Sequence, residues 1–515
     1  MSPDRMSRRQ FVGLTTTGVA GALLGSAIRV RASEEMAEWN PEGTFLITGK
    51  SLKVQPVLMH TIHQRRELAS WRSWGRISSP EAAADEAKRI AKELSALSAK
   101  GDFPLQILPV VRVSSEGEAR RVHENDYDAV IVYPATGSGS LLRACFPSKP
   151  DKDTIIFVRH RSGPIYYWYE ALSTRYLRKG SDEELKQNSL HNHGGVFAHD
   201  VVVDDYDEVL WRLRALYGIK NLIGKRIVAL GGAWGKYDER APTVARERYG
   251  IAIVEVSYDD LERRMRNARA DNSLVARAER WTEKYLSQPN ITLATQKKYV
   301  LNAFLLYSIF KEWMHEHDSV AFTIKNCMSK VLPIAATTPC LPLSWLNDEG
   351  LLAFCESDFV VIPSGILLHY VSGKPVFLHN STFPHDGVVT CAHCSAPRRM
   401  DGQNYEATHV MTHYESDSGA APKVEMAVGQ EVTFIDPEYS TSRWVGFKGI
   451  IRRNPSYDIC RTQQDVEIQG DWKRLVNEVR DSHWMMAYGD YLRELGYACR
   501  KLGINWVNIS EREET

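Results

Sequence analysis

Residues Asp128–Tyr133 read Asp-Ala-Val-Ile-Val-Tyr, five apolar side chains in a row behind one carboxylate. A strand with one wet face alternates apolar and polar residues. An unbroken apolar run has both faces covered, and in a soluble chain that marks a parallel strand between helices. Thr154–Arg159 (TIIFVR) repeats the pattern. Upstream, Pro80–Lys100 opens on proline, is rich in Ala, Glu and Lys, and sets Ile90, Leu94 and Leu97 on one face, which predicts a helix. Thr44–Thr48 and Leu105–Val113 are further strand candidates. Short buried strands alternating with helices predict a layered α/β unit.

The same alternation resumes beyond residue 200. Tyr206–Tyr217 is helical, Arg226–Gly232 (RIVALGG) is a strand ending in glycines, and Ile251–Ser257 is a strand. Asp259–Leu286 reads as one long charged helix, Leu293–His317 as a second helix, and Ala321–Lys325 as a strand. After Gly373 the character changes to short alternating runs, Val376–Leu378, Val388–Cys391, Val424–Ala427, Val432–Ile435 and Trp444–Ile451, with frequent turn residues. Helical periodicity over Tyr488–Leu502 and a strand-like Ile504–Ile509 close the chain. The expected fold class is α/β: two layered, Rossmann-like α/β domains (33–203 and 204–371) followed by a mostly β C-terminal domain (372–515).

Lys plus Arg number 64 and Asp plus Glu 64 in 515 residues, so no basic field is expected to hold nucleic acid. Eight cysteines are too sparse for a disulfide scaffold. The first 32 residues read as an address. Ser7-Arg8-Arg9-Gln10-Phe11-Val12 precedes a weakly apolar run, Gly13–Ile28, and Val30-Arg31-Ala32 offers a small-residue cleavage site. This pattern predicts a twin-arginine export signal and a periplasmic or extracellular protein. The apolar run is shorter than the roughly 20 residues a spanning helix needs, so no stable membrane span is expected.

Candidate chemistry concentrates between 340 and 400. Glu356 ends the apolar run Leu351–Cys355, His379 follows Pro375–Leu378, and His393 ends Val388–His393. A carboxylate at the end of an apolar strand is costly to bury unless it is paired or holds a cation. Acid and imidazole at the ends of neighbouring strands can converge on one divalent ion. Ser482-His483-Trp484 opens another apolar run and could bring a third ligand.

These segments resemble the L-fucose isomerase and L-arabinose isomerase group of metal-dependent sugar isomerases. The resemblance rests on Leu343–Asp358 with NDEG and CESD, Gly373–Pro397 with GKPVFLHN and AHCSAP, and Ser482–Asp490 (SHWMMAYGD), about a third of the chain. It implies that Glu356 binds the metal and moves the proton, that His483 is a ligand, and that His393 lies close to the site. His379 stands where the fucose isomerase pattern has an aspartate. As a metal ligand there it would favour softer ions and leave the second acid/base role to Asp358 or Asp386. The implied cofactor is a divalent metal, Mn²⁺ first, with Zn²⁺ or another transition metal as alternatives. The implied partners are a small-molecule sugar and further copies of the chain in a homo-oligomer.

The expected activity is aldose–ketose isomerisation or a related enediolate reaction. A cation holds the C1 and C2 oxygens and Glu356 carries the proton between those carbons. The alternatives are an exported carbohydrate-binding protein without turnover, or a metal-dependent lyase or hydrolase step in polysaccharide breakdown. Arg72 and Trp74, in the stretch Ser70–Gly75, are candidate sugar contacts. Cys391 and Cys394 have C-x-x-C spacing but end a strand, so packing near the sugar site is expected rather than a zinc or redox role. His191 and His193 sit in a glycine-rich stretch that could close over a site.

Overall fold

The computed structural model describes residues 38–72, 75, 77–149, 151–166, 196–438 and 443–511. The export-signal reading, Trp74, His191 and His193 lie outside the described residues.

The first sheet contains β1 (Leu52–Met59), β2 (Leu105–Ile107), β3 (Val111–Val113), β4 (Ala129–Pro134), β5 (Asp153–Val158) and β6 (Val201–Val203). All pairings are parallel, in the order β2-β1-β4-β5-β6 with β3 also beside β1. Every residue of β4 and β5 is buried, as an unbroken apolar run requires. Leu105–Val113 makes two strands rather than one, because Leu108–Val110 carries Pro109, which has no N–H for a ladder. Thr44–Thr48 forms no strand.

The second sheet is built from β7 (Arg226–Leu230), β8 (Ala252–Val256), β10 (Ala321–Ile324) and β11 (Leu352–Cys355), while β9 (Ile291–Ala294) pairs elsewhere. The order is β11-β10-β7-β8, all parallel. The chain therefore places β8 on one side of β7 and β10 on the other. In open α/β sheets such a reversal opens a crevice at the carboxyl ends of the strands. The expected helix Asp259–Leu286 is two helices, Tyr258–Ala270 and Asn272–Leu286. Asp271 ends the first and caps the second, accepting from the N–H groups of Ser273 and Leu274. The front of the expected helix Leu293–His317 is spent in β9, and the helix runs Lys297–Glu316.

The remaining strands are β12 (Phe377–Ser381), β13 (Val388–His393), β14 (Ala407–Met411), β15 (Ala421–Glu425), β16 (Glu431–Pro437), β17 (Arg443–Arg453), β18 (Thr462–Gln469), β19 (His483–Tyr488) and β20 (Asn505–Asn508). Six of them close an antiparallel barrel in the order β16-β19-β12-β13-β18-β17 and back to β16. β20 adds to β17 in parallel. Phe377, Val389, Cys391, Phe434, Phe447, Val466, Trp484 and Met486 share the barrel's core. β14 pairs with β9 in parallel and with β15 antiparallel, so the second unit and the C-terminal domain share a sheet. Tyr488 ends β19, and the last helix begins only at Leu492.

One helix ties the units together. Ile362–Ser372 is buried along its whole length. It is reached on one side by helix Tyr206–Leu222, where a Cβ on Gly218 would lie 2.5 Å from Val371 Cγ2. On another side β19 approaches so closely that a Cβ on Gly365 would lie 2.6 Å from Met485 Cε. This packing fixes β19, which carries His483, against the segment that follows β11. No helix among the described residues is long and apolar enough to cross a membrane.

Candidate metal centre

The segment after β11 is the foundation of the site. Leu352–Cys355 is apolar and wholly buried, and the chain then turns through two successive non-glycine residues in the left-handed region, Glu356 (φ 67°) and Ser357 (φ 51°). Such positions cost on the order of 1 kcal/mol or more each and persist only where the surroundings impose them. Here the loop after β7 imposes them. Trp234 N–H donates to Ser357 O (3.4 Å), Trp234 Nε1 donates to Glu356 O, and Phe359 N–H donates to Trp234 O (3.0 Å).

Three side chains from three strand ends meet at this turn. Glu356, His393 and His483 each bring a ligand atom to within 4.8 Å of the other two. His393 Nε2 is 3.5 Å from Glu356 Oε1, and His483 Nε2 is 3.3 Å from Glu356 Oε2. Both imidazoles are buried, whereas the Glu356 side chain is 34% exposed, so the cluster opens to solvent through its carboxylate.

The far side of each ring is already engaged. His483 Nδ1 lies 2.7 Å from Asp358 Oδ2, and His393 Nδ1 lies 3.2 Å from Ser395 Oγ. Asp358 is fully buried, and its Oδ1 accepts from the N–H groups of Lys236 (3.0 Å) and Val360 (3.1 Å). His483 Nδ1 faces the Asp358 carboxylate, and Nε2 is turned towards Glu356. His393 Nε2 is buried and has no hydrogen-bond partner among the described residues. His483 Nε2 faces Glu356 Oε2 and Lys236 Nζ, each at 3.3 Å, and a carboxylate held behind the other ring nitrogen is the usual support for a metal ligand. The donor set of two imidazoles and one carboxylate therefore fits a divalent transition ion.

The electrostatics agree. Burial works against a charged His483, but hydrogen bonds to Asp358 and Glu356 outweigh it and raise its pKa to about 9. Burial likewise opposes ionisation of Glu356, and His393 and His483 overcome it, holding its carboxyl far below the usual range. Without a cation, a proton on His483 balances the carboxylates; a bound ion would take its place.

His379 is not part of this cluster. In the β12–β19 ladder His379 stands opposite Trp484, and Asn380 stands opposite His483. Directly paired residues share a face, so alternation puts Asn380 on the His483 side and His379 on the other. The His379 ring packs against Phe377, Phe434 and Trp484, at centroid distances of 5.4, 5.5 and 6.2 Å. Burial lowers its pKa to about 3, so it is neutral. His393 takes the place expected of His379 in the cluster. Asp358, expected as a substitute acid/base, orients His483 instead. Asp386 is exposed in the turn between β12 and β13. Arg72 is exposed over the Trp71 ring, and no described contact joins it to the cluster.

Lys236 is the group that the sequence reading missed. Its Nζ lies 3.3 Å from His483 Nε2. It comes from Gly231–Lys236 (GGAWGK), the exit of β7, at the crevice beside β10. The glycines ending RIVALGG were the available signal.

No protein-family profile matches the chain, and no curated protein matches it significantly. Among solved structures, a conserved domain protein from Vibrio cholerae O1 biovar El Tor strain N16961 aligns over 59% of this chain and 89% of its own, at 12% identity and a TM-score of 0.15. A likeness at that level carries no argument about fold or activity.

Proposed function

We propose that the protein is a metal-dependent sugar isomerase, moving a proton between C1 and C2 of an open-chain aldose or ketose. The observation that carries this reading is the convergence of Glu356, His393 and His483, with the carboxylate turned to solvent. The resemblance of the segments around these residues to the fucose and arabinose isomerase group supplies the substrate class. Glu356, His393 and His483 would hold Mn²⁺, Zn²⁺ or a similar ion, which supplies Lewis-acid stabilisation of the charge that develops on the sugar oxygens.

The chain's own groups then have distinct work. Glu356 is ionised at any working pH and is the one cluster member open to solvent, so it accepts and returns the carbon-bound proton. Its pairing with two imidazoles makes it a weak base, so the carbon acid must be made stronger. Asp358 holds the His483 tautomer and cannot itself shuttle a proton, because both its oxygens are engaged and it is fully buried. Lys236 brings its Nζ to the edge of the cluster, 3.3 Å from His483 Nε2, where it can donate a hydrogen bond to a sugar oxygen. On this reading the chain is exported folded by the twin-arginine route to the periplasm or beyond, and works as a homo-oligomer.

The test is solvent deuterium incorporation at C1 or C2 across a panel of aldoses with added Mn²⁺ or Zn²⁺. The reading expects exchange that Glu356→Gln abolishes while sugar binding persists. Metal-dependent binding without exchange would favour a carbohydrate-binding protein, and bond cleavage without exchange a lyase or hydrolase; either would refute the isomerase.

A further inference from the structure

A second convergence lies beside the first and takes no part in it. Cys340, Cys394 and His413 bring two thiols and an imidazole nitrogen to within 4.8 Å of one another. They come from separate places in the chain: the start of helix Cys340–Asp348, the residue after β13, and the loop after β14. All three are buried, at 2%, 3% and 3% exposure. A third thiol, half-buried Cys460 at the approach to β18, neighbours Cys394.

We propose that Cys340, Cys394, Cys460 and His413 form a closed structural site for a soft divalent cation, Zn²⁺ first. Three arguments support this over thiol packing. The donor set is Cys₃His, a common closed zinc set, and thiolate sulfur selects such ions. Tetrahedral bonds of about 2.3 Å to sulfur set ligand atoms roughly 3.8 Å apart, a small contraction for Cys340, Cys394 and His413, whose ligand atoms lie within 4.8 Å of one another. His413 Nδ1 is buried with no hydrogen-bond partner among the described residues, which is costly unless the ring has a compensating role. A disulfide accounts for less, since bridging any two of the three thiols leaves the third unused. Binding is not a redox step: each thiol releases its proton to solvent as its sulfur takes the cation.

The site's place in the fold gives it a task. Cys394 directly follows His393. An ion at Cys394 would pin the end of β13 to helix Cys340–Asp348, to the β14 loop and to the start of β18. The His393 imidazole would then be held by a staple one residue away.

The test is anaerobic reconstitution of the reduced, metal-free full-length chain with Co²⁺ alone. Thiolate ligation gives a sulfur-to-cobalt charge-transfer absorption that carboxylate and imidazole sites lack. The proposal expects that band in the wild-type protein and in Glu356→Gln, and its loss in Cys394→Ser. Cys460→Ser, at a half-buried position that spares the core, is expected to shift or weaken it, so the test survives if Cys394→Ser does not fold. Absence of the band in the wild-type protein, its persistence unchanged in both cysteine variants, or a Cys340–Cys394 disulfide in the purified chain would overturn the proposal. None of these outcomes bears on the isomerase reading, which the Glu356→Gln exchange experiment decides separately.

Discussion

Replacing Asp358 with asparagine isolates what one buried carboxylate does for the candidate metal centre. The substitution keeps shape but not charge. If the asparagine oxygen stays where Oδ1 accepts from the Lys236 and Val360 N–H groups, its amide N–H₂ faces His483 Nδ1. The ring must then carry its proton on Nε2, the atom that should bind the ion. The flipped rotamer sets the amide against two backbone donors instead. A charge-assisted hydrogen bond is worth about 1.5–3 kcal/mol, and loss of such a support typically lowers metal affinity about 10–100-fold. Proton competition works the other way. His483 in the metal-free protein has its pKa raised to about 9, with Asp358 the leading partner in raising it, so near neutrality an incoming ion must displace a proton. That competition amounts to about 1.4 kcal/mol per pH unit below the pKa. Asp358→Asn relieves part of it. The two effects therefore offset near neutral pH and separate in alkali. Chelator competition across pH should show wild-type affinity for Mn²⁺ rising up to about pH 9. The variant should level off at lower pH and fall well behind the wild type above that value. Parallel curves with unchanged affinity would refute the role assigned to Asp358.

Four further outcomes follow from the same geometry. Glu356→Gln should abolish deuterium exchange into the sugar while calorimetry still detects sugar binding. His379→Leu should leave the metal content unchanged and alter stability by no more than about 1 kcal/mol, because its Nε2 is buried without a partner among the described residues and only the modest contacts of Nδ1 with Ser381 and Asn380 are lost; loss of the bound ion would restore His379 as a ligand. Lys236→Met should lower turnover with metal content intact, and an unaltered kcat would remove Lys236 from the mechanism. The folded-state pKa of His483 lies above its unfolded value of about 6.5, so its charged form stabilises the metal-free protein fully below that value, and the contribution fades as pH rises through about 9. Thermal melts of chelated protein should show that decline, and a metal-loaded sample should not.

Parts of this site are legible in the sequence because they break a local pattern. Glu356 is a carboxylate at the end of an apolar run, and His483 and His393 bound two others. Burial without a partner is improbable for such groups, so their meeting could be anticipated. His379 misleads for a physical reason. β12 is buried on both faces at Phe377–His379, so no alternation marks which of its residues faces which side. Only the pairing with β19 fixes the face, and a one-residue shift exchanges His379 for Asn380. Lys236 is invisible because its role depends on the strand order around β7, which the sequence does not state. Closure of the barrel by β16 with β19 is non-local in the same way. The break at Asp271, by contrast, carried a local signal, an aspartate followed by Asn-Ser at a helix start, and the longer periodicity concealed it.

The central claim is that one cation sits among Glu356, His393 and His483. Anomalous scattering from crystals soaked in Mn²⁺ tests it directly. The account predicts a peak at coordination distance, about 2.0–2.2 Å, from His393 Nε2, His483 Nε2 and a Glu356 oxygen, with nothing at His379. A peak that includes His379, or none at the Glu356 turn, would contradict it.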